Sequence, residues 1–189
     1  MTLADGEPVA TLGLMPAPSE AEMAYAESLF ALTPDFPEPG VLFRDISPML
    51  ADPKALRTTA EALIHPFSGQ FDIIAGIEAR GFVLAGVMAG VCGSGVLPVR
   101  KAGKLPDPAG YVEYALEYGT AAIEAPGVLK PGQRVLLVDD VLATGGTLAA
   151  SRTLVQQLGA EVAGAAVVLE LEGLGGREVA GEVHALFNA

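Results

Sequence analysis

Residues Val135 to Val138 form an unbroken apolar run, followed at once by two adjacent carboxylates, Asp139 and Asp140, and then by Val141-Leu142-Ala143-Thr144-Gly145-Gly146-Thr147. Four apolar residues in succession predict a strand buried on both faces, the kind found inside a parallel sheet covered by helices on each side. The small, hydroxyl-rich stretch that follows predicts a tight loop opening a helix from about Thr147 to Leu158. Backbone N–H groups converge at such a helix start and make a ready anion site. The paired acids just ahead of it suit hydroxyl groups or a magnesium ion. Phosphate and polyol recognised side by side point to a sugar phosphate. The plainer alternative is that Asp139 and Asp140 merely end a strand and Gly145-Gly146 is merely a turn.

The rest of the chain repeats the strand-then-helix order. Phe71 to Ala75 reads as a strand, followed by Gly76-Ile77-Glu78-Ala79-Arg80-Gly81 and a helix to about Cys92. A Gly-Ser-Gly turn leads to a strand from Val96 to Val99, and another strand is expected from about Val162 to Leu169. Ala115 to Tyr118 and Ala121 to Glu124 look extended, and Lys130-Pro131-Gly132-Gln133 has proline and glycine in type II turn positions. Ser19 with Glu22 reads as a capping box for a first helix, whose Met23, Ala26, Leu29 and Phe30 share a face. The prolines between Thr33 and Gly40 break it, and Asp52 with Pro53 starts a second helix that His65 closes. Residues 1–18 read as a loose leader, and 19–189 as a single domain. The fold class is therefore α/β, with a central, mostly parallel sheet flanked by helices. In such sheets sites lie beyond the carboxyl ends of the strands, so the loops after Ala75, Val99 and Val138 should converge.

Charge narrows the function classes. The net charge of −12 argues against a general nucleic-acid binder, which needs clustered basic charge. Of the eleven Lys and Arg residues, Arg44, Arg80, Arg100, Lys101 and Lys104 all fall in segments near the expected site, a local positive focus for an anionic ligand. The uncharged run Gly81 to Val99 is long enough to need a membrane test, but its glycines and Pro98 favour a buried helix, turn and strand. No basic leader precedes an apolar segment, because the first cation is Arg44. Cys92 is the single cysteine and reads as a packed thiol, which fits a reducing, cytoplasmic setting. His65 and His184 are too few and too far apart for a zinc site, and there is no Walker A loop and no G-x-G-x-x-G after a strand.

Three further segments carry chemistry. Arg80, beside the backbone N–H groups of Glu78-Ala79-Arg80-Gly81, suits a diphosphate, because a guanidinium makes paired bonds to phosphate oxygens. Arg100-Lys101-Ala102-Gly103-Lys104-Leu105-Pro106 describes a basic flap that could close on the same group and exclude water. In Phe36-Pro37-Glu38-Pro39-Gly40-Val41-Leu42-Phe43-Arg44-Asp45-Ile46, the Phe43 ring could stack on a flat base or pack into the core.

Together these segments, from about Pro34 to Glu172, resemble the type I phosphoribosyltransferases, with the spacing between motifs intact. The resemblance implies that Asp139 and Asp140 hold the ribose hydroxyls and that Ala143, Thr144, Gly145, Gly146 and Thr147 cradle the 5-phosphate. It implies that Glu78, Ala79 and Arg80 form the diphosphate loop, with a non-proline cis peptide between Glu78 and Ala79, and that Arg100, Lys101 and Lys104 begin a flexible catalytic loop over about Ala102 to Tyr114. Tyr114-Ala115-Leu116-Glu117-Tyr118-Gly119 is similar to a segment of the adenine-specific members, which makes Glu117 the expected proton-transfer residue, with Arg80 and Lys104 as the other catalytic candidates.

Residues 19–50 would then form a small N-terminal hood in which the backbones of Leu42 and Arg44 read the base. One N–H and one C=O together complement adenine and mismatch hypoxanthine or guanine, a polar mismatch of the kind that can discriminate by about 10⁴. The resemblance further implies magnesium, 5-phosphoribosyl 1-pyrophosphate and adenine as substrates, AMP and pyrophosphate as products of purine salvage, a homodimer, and neither nucleic acid nor membrane as partner. A non-catalytic sensor of the same ligands, and an enzyme for xanthine or another purine, stay open at this point.

Overall fold

The computed structural model describes residues 17–36, 38–116 and 119–189. The expected leader falls almost wholly outside them. Helix α1 (Glu20–Ser28) begins at the expected capping box: the Ser19 hydroxyl accepts from the Glu22 amide, and the Glu22 carboxylate accepts from the Ser19 amide at 2.9 Å. The helix stops there because the chain turns into a two-stranded antiparallel sheet, β1 (Ala31–Pro34) and β2 (Leu42–Asp45), paired from Ala31↔Asp45 to Pro34↔Leu42. A short helix α2 (Ser47–Ala51) follows, which the sequence pattern had not suggested. Helix α3 (Pro53–Ile64) starts as expected, with the Asp52 carboxylate accepting from the Ala55 amide at 2.8 Å, and ends at His65.

The main sheet then forms: β3 (Ile73–Ile77), α4 (Arg80–Cys92), β4 (Gly95–Lys101), β5 (Gly110–Leu116), β6 (Gly119–Ala125), β7 (Arg134–Leu142), α5 (Gly146–Gln157), β8 (Glu161–Glu170), α6 (Gly176–Ala180) and β9 (His184–Asn188). Its order is β5-β6-β4-β3-β7-β8-β9. The pairs β4–β3–β7–β8–β9 are parallel, and the β5–β6 hairpin runs antiparallel along one edge. The sheet is thus mostly parallel, as the apolar runs implied. The span expected as a loop, Ala102 to Tyr114, divides in two: a turn-rich excursion from 102 to 109, then β5.

The apolar runs are explained by burial on both faces. Ile74, Leu136, Val138, Ala166 and Val168 face a core shared with α1, α3 and α4. Their immediate neighbours Ala75, Leu137, Ala165 and Val167 face a second core shared with α5 and α6. Period-two alternation places successive side chains on opposite faces, so a doubly covered strand has no polar position to spare. Cys92 packs against the first core, and burial pushes its thiol up from the ordinary value. No helix among the described residues is long and apolar enough to cross a membrane, and Gly81 to Val99 divides into helix, turn and strand.

Candidate active site

The register of the sheet brings the site loops together. Gly76 pairs with Val138 and Ile77 with Val99, so the carboxyl end of β3 lies beside Val99 of β4 and Val138 of β7, and β7 runs on past it to Leu142. Glu78 to Arg80, Arg100 to Leu105 and Asp139 to Gly146 therefore share one edge. Two glycines make the approach close. A Cβ on Gly76 would sit 2.7 Å from the Ala85 Cβ, and one on Gly81 would sit 2.7 Å from the Val138 carbonyl oxygen and 3.3 Å from Asp139 Oδ1. The start of α4 can lie against the end of β7 only because those side chains are missing. The Glu78–Ala79 peptide is cis, where the resemblance put it.

Asp139 and Asp140 are both inside β7 rather than after it, and both are buried. The Asp140 amide donates to Asp139 Oδ1 at 2.9 Å. Burial, and then the neighbouring Asp140 charge, lift the Asp139 carboxyl well above the ordinary value. Arg80 Nη2 lies 2.7 Å from Asp140 Oδ2. Arg100 Nε lies 3.5 Å from Glu78 Oε2 and, although buried, makes no hydrogen bond among the described residues. A guanidinium N–H in that state is a donor awaiting an acceptor.

Two cavities occupy this edge. One, of about 490 Å³, is lined by residues that include Glu78, Lys101, Tyr114, Asp139, Asp140 and Thr147. The other, of about 130 Å³, is lined by Asp139, the end of β7, the loop Ala143 to Gly145 and the start of α5. That loop ends where Gly145, at φ +82, opens α5. Several N–H groups and the positive end of a helix dipole meet there, an arrangement suited to a phosphate. Gly145 fits closely against Gly176, and Gly176 against Ala143, so α6 backs the loop.

Of the residues expected at the site, Glu78, Lys101, Asp139, Asp140 and Thr147 line the larger cavity, and Ala143, Thr144, Gly145, Gly146 and Thr147 line the smaller. Arg80 and Arg100 reach these through their ion pairs, and Ala79 joins Glu78 to Arg80. Lys104 is exposed on the turn beyond β4. Leu42, Phe43 and Arg44 line neither cavity. They lie on β2, whose terminal Asp45 has its carboxyl held below the ordinary value by hydrogen bonds from the Ser47 hydroxyl and amide, with the Arg80 charge a smaller cause. Phe43 is half-buried and meets Phe36 edge to face at 5.2 Å, outside the two cores. Glu117 lies outside the described residues.

Three contributors were not expected. Tyr114 lines the larger cavity, and its hydroxyl accepts from Thr147 Oγ1 at 3.2 Å. Gly176 supports the loop, in a C-terminal stretch with little periodicity. Glu124 is a buried carboxylate in β6, and the one clue to it was an acid between the core residues Ile123 and Ala125.

Residues 49–180 match the family described as Phosphoribosyl transferase domain. The chain is 56% identical over 173 residues to an adenine phosphoribosyltransferase of Saccharopolyspora erythraea, covering 90% of this chain and 94% of that one. The chain belongs to the adenine phosphoribosyltransferase family. The fold agrees with solved structures of the family. An adenine phosphoribosyltransferase from Rhodothermus marinus superposes with a TM-score of 0.82 at 43% identity, covering 90% of this chain and all of that one. The Saccharomyces cerevisiae enzyme, complexed with adenine and an imino-altritol bisphosphate, has a TM-score of 0.81 at 35% identity, covering 88% of this chain and 98% of that one. The type I phosphoribosyltransferase resemblance of the motifs is thereby matched across nearly the whole described chain.

Proposed function

We propose that this chain transfers the 5-phosphoribosyl group of 5-phosphoribosyl 1-pyrophosphate to adenine, giving AMP and pyrophosphate in purine salvage. The observation that carries this reading is the meeting, at one sheet edge, of paired carboxylates, a phosphate-sized loop at a helix start, and two guanidinium groups. Adenine as the base is supported by the relatives, which are named for it, and by the yeast structure that contains it.

In this reading the loop Ala143 to Thr147 binds the 5-phosphate, and Asp139 and Asp140 accept hydrogen bonds from the ribose 2′- and 3′-hydroxyls. Glu78, Ala79, Arg80, Arg100, Lys101 and Lys104 take the diphosphate. The backbones of Leu42 and Arg44, two apart on β2 and so presenting to the same side, read the base beside Phe43. Residues 19–50 are the hood over that base, and 19–189 act as one domain. A nitrogen of the base then forms a bond to the anomeric carbon as the bond to the diphosphate oxygen breaks. The electron pair leaves with pyrophosphate, whose charge the cations stabilise, and the base proton passes to Glu117.

Magnesium fits this donor set. The ion keeps several waters and typically takes one or two carboxylates plus substrate phosphates. Among the described residues no group of three or more His, Cys, Asp or Glu forms an all-protein cage, whereas Asp139 and Asp140 stand side by side. When bound, the ion would neutralise diphosphate charge. A homodimer in the cytoplasm completes the proposal. A screen of nucleobases for magnesium-dependent pyrophosphate release tests it: efficient turnover of guanine or orotate, with none of adenine, would end this reading.

A further inference from the structure

Five consecutive backbone N–H groups at the root of the basic segment are held. Lys101 donates to Glu78 Oε2 at 2.9 Å, and Ala102 donates to the Ala122 carbonyl at 2.9 Å. Gly103, Lys104 and Leu105 then all donate to the Glu124 carboxylate, at 3.0, 2.7 and 2.6 Å. Gly103, at φ +80, lets the chain curl so that three successive amides reach one group.

Glu124 is 2% exposed. Gly103 and Lys104 are exposed as residues, yet their amides turn inward onto this carboxylate. A buried carboxylate is costly unless partnered, and these three amides are the partners Glu124 has among the described residues. Burial opposes its ionisation, yet the three amides and the Arg100 charge hold its carboxyl below the ordinary value. The same Arg100 donates through Nη1 to the Lys104 carbonyl at 3.4 Å. The turn is thus ordered from both sides, and Lys101 and Lys104 leave it as side chains of a fixed backbone.

We propose that Glu124 is a positioning residue for phosphoribosyl transfer: without touching the substrate, it sets the turn from which Lys104 meets the diphosphate. This rests on the reading above, in which the basic segment binds that group. Glu124 acts on the backbone of 103–105, while the ribose phosphate is held by a separate loop.

The test is Glu124→Gln in the full chain, which keeps size and replaces one acceptor oxygen by a donor. We expect KM for 5-phosphoribosyl 1-pyrophosphate to rise about tenfold, the scale of losing charge-assisted hydrogen bonds, with KM for adenine nearly unchanged. Amide hydrogen exchange at 103–105 should quicken in the same variant. A merely structural role would lower kcat through a smaller active fraction and leave both KM values as in the parent, and that result would overturn the proposal. If E124Q does not fold, the parent protein decides: the amides of 103–105 should exchange at least about tenfold more slowly than that of Asp107 on the same excursion. Equal rates would sink the proposal. Parent activity with adenine, measured alongside, separates this outcome from a failure of the assigned reaction.

Discussion

The Arg80 guanidinium lies 2.7 Å from the Asp140 carboxylate, which joins the Glu78–Arg80 loop to β7. The Arg80 side chain is 41% exposed and that of Asp140 only 10%, so the pair is half-buried and Asp140 depends on it for a partner. Its value is in aiming the guanidinium. Replacing Arg80 by Ala should therefore cut kcat/KM about 10²- to 10³-fold, the range for losing one donor to developing charge, and should also lower the thermal midpoint, because Asp140 is left buried without its cation. Steady-state kinetics with a melting curve checks both halves. A lowered melting temperature with kcat/KM of the folded enzyme unchanged would mean that the pair is only structural.

Asp139 gives a pH signature. Burial and the adjacent Asp140 raise its folded-state carboxyl well above the ordinary value. Between the unfolded and folded values, the native chain holds a proton that the unfolded chain has lost. The stability this group contributes is complete below the ordinary carboxylate range and is lost as pH rises through the raised value. Asp139→Asn should therefore melt higher than the parent near neutral pH, with the difference closing in acid, and should lose ribose-phosphate binding. Melting curves that run parallel across pH would contradict the assignment.

Gly81 is a steric prediction. A Cβ there would stand 2.7 Å from the Val138 carbonyl oxygen, which is backbone and cannot swing away. Gly81→Ala should cost about 1–3 kcal/mol and, by pushing α4 off β7, lower affinity for the diphosphate substrate. Denaturant unfolding and substrate KM measure the two effects. A fully stable, fully active variant would show that the strand ends yield more easily than their packing suggests.

Phe43 tests the base site. The ring sits outside both cores against Phe36, so Phe43→Ala should spare the fold. Stacking on a base is worth about 1–3 kcal/mol, so KM for adenine should rise by roughly tenfold or more. KM for 5-phosphoribosyl 1-pyrophosphate should stay put. A loss confined to the phosphorylated substrate would move the base elsewhere.

Much of this was legible before any coordinates. The Ser19 and Asp52 caps and the Lys130–Gln133 turn are local hydrogen-bond chemistry, set within a few residues, and all three formed as read. Gln133 donates to the Lys130 carbonyl at 3.1 Å, with Gly132 at φ +73. The strands with double-faced burial announced themselves as apolar runs. The short pieces did not: α2 and α6 span five residues each, too few for a helical period to emerge. Strand β9 was missed for a different reason, since His184-Ala185-Leu186-Phe187-Asn188 carries neither strict alternation nor a continuous apolar run.

Sequence alone singled out the carboxylate pair, the glycine loop and the cation cluster, because each is contiguous along the chain. It determined the sheet as mostly parallel for the same reason. Only tertiary structure decided the partners: Asp140 for Arg80, Glu124 for the amides of 103–105, Gly176 behind Gly145, Tyr114 beside Thr147. Each of those contacts joins residues about twenty or more apart along the chain. They depend on strand order and register, which the packing of two whole faces selects and no local pattern encodes.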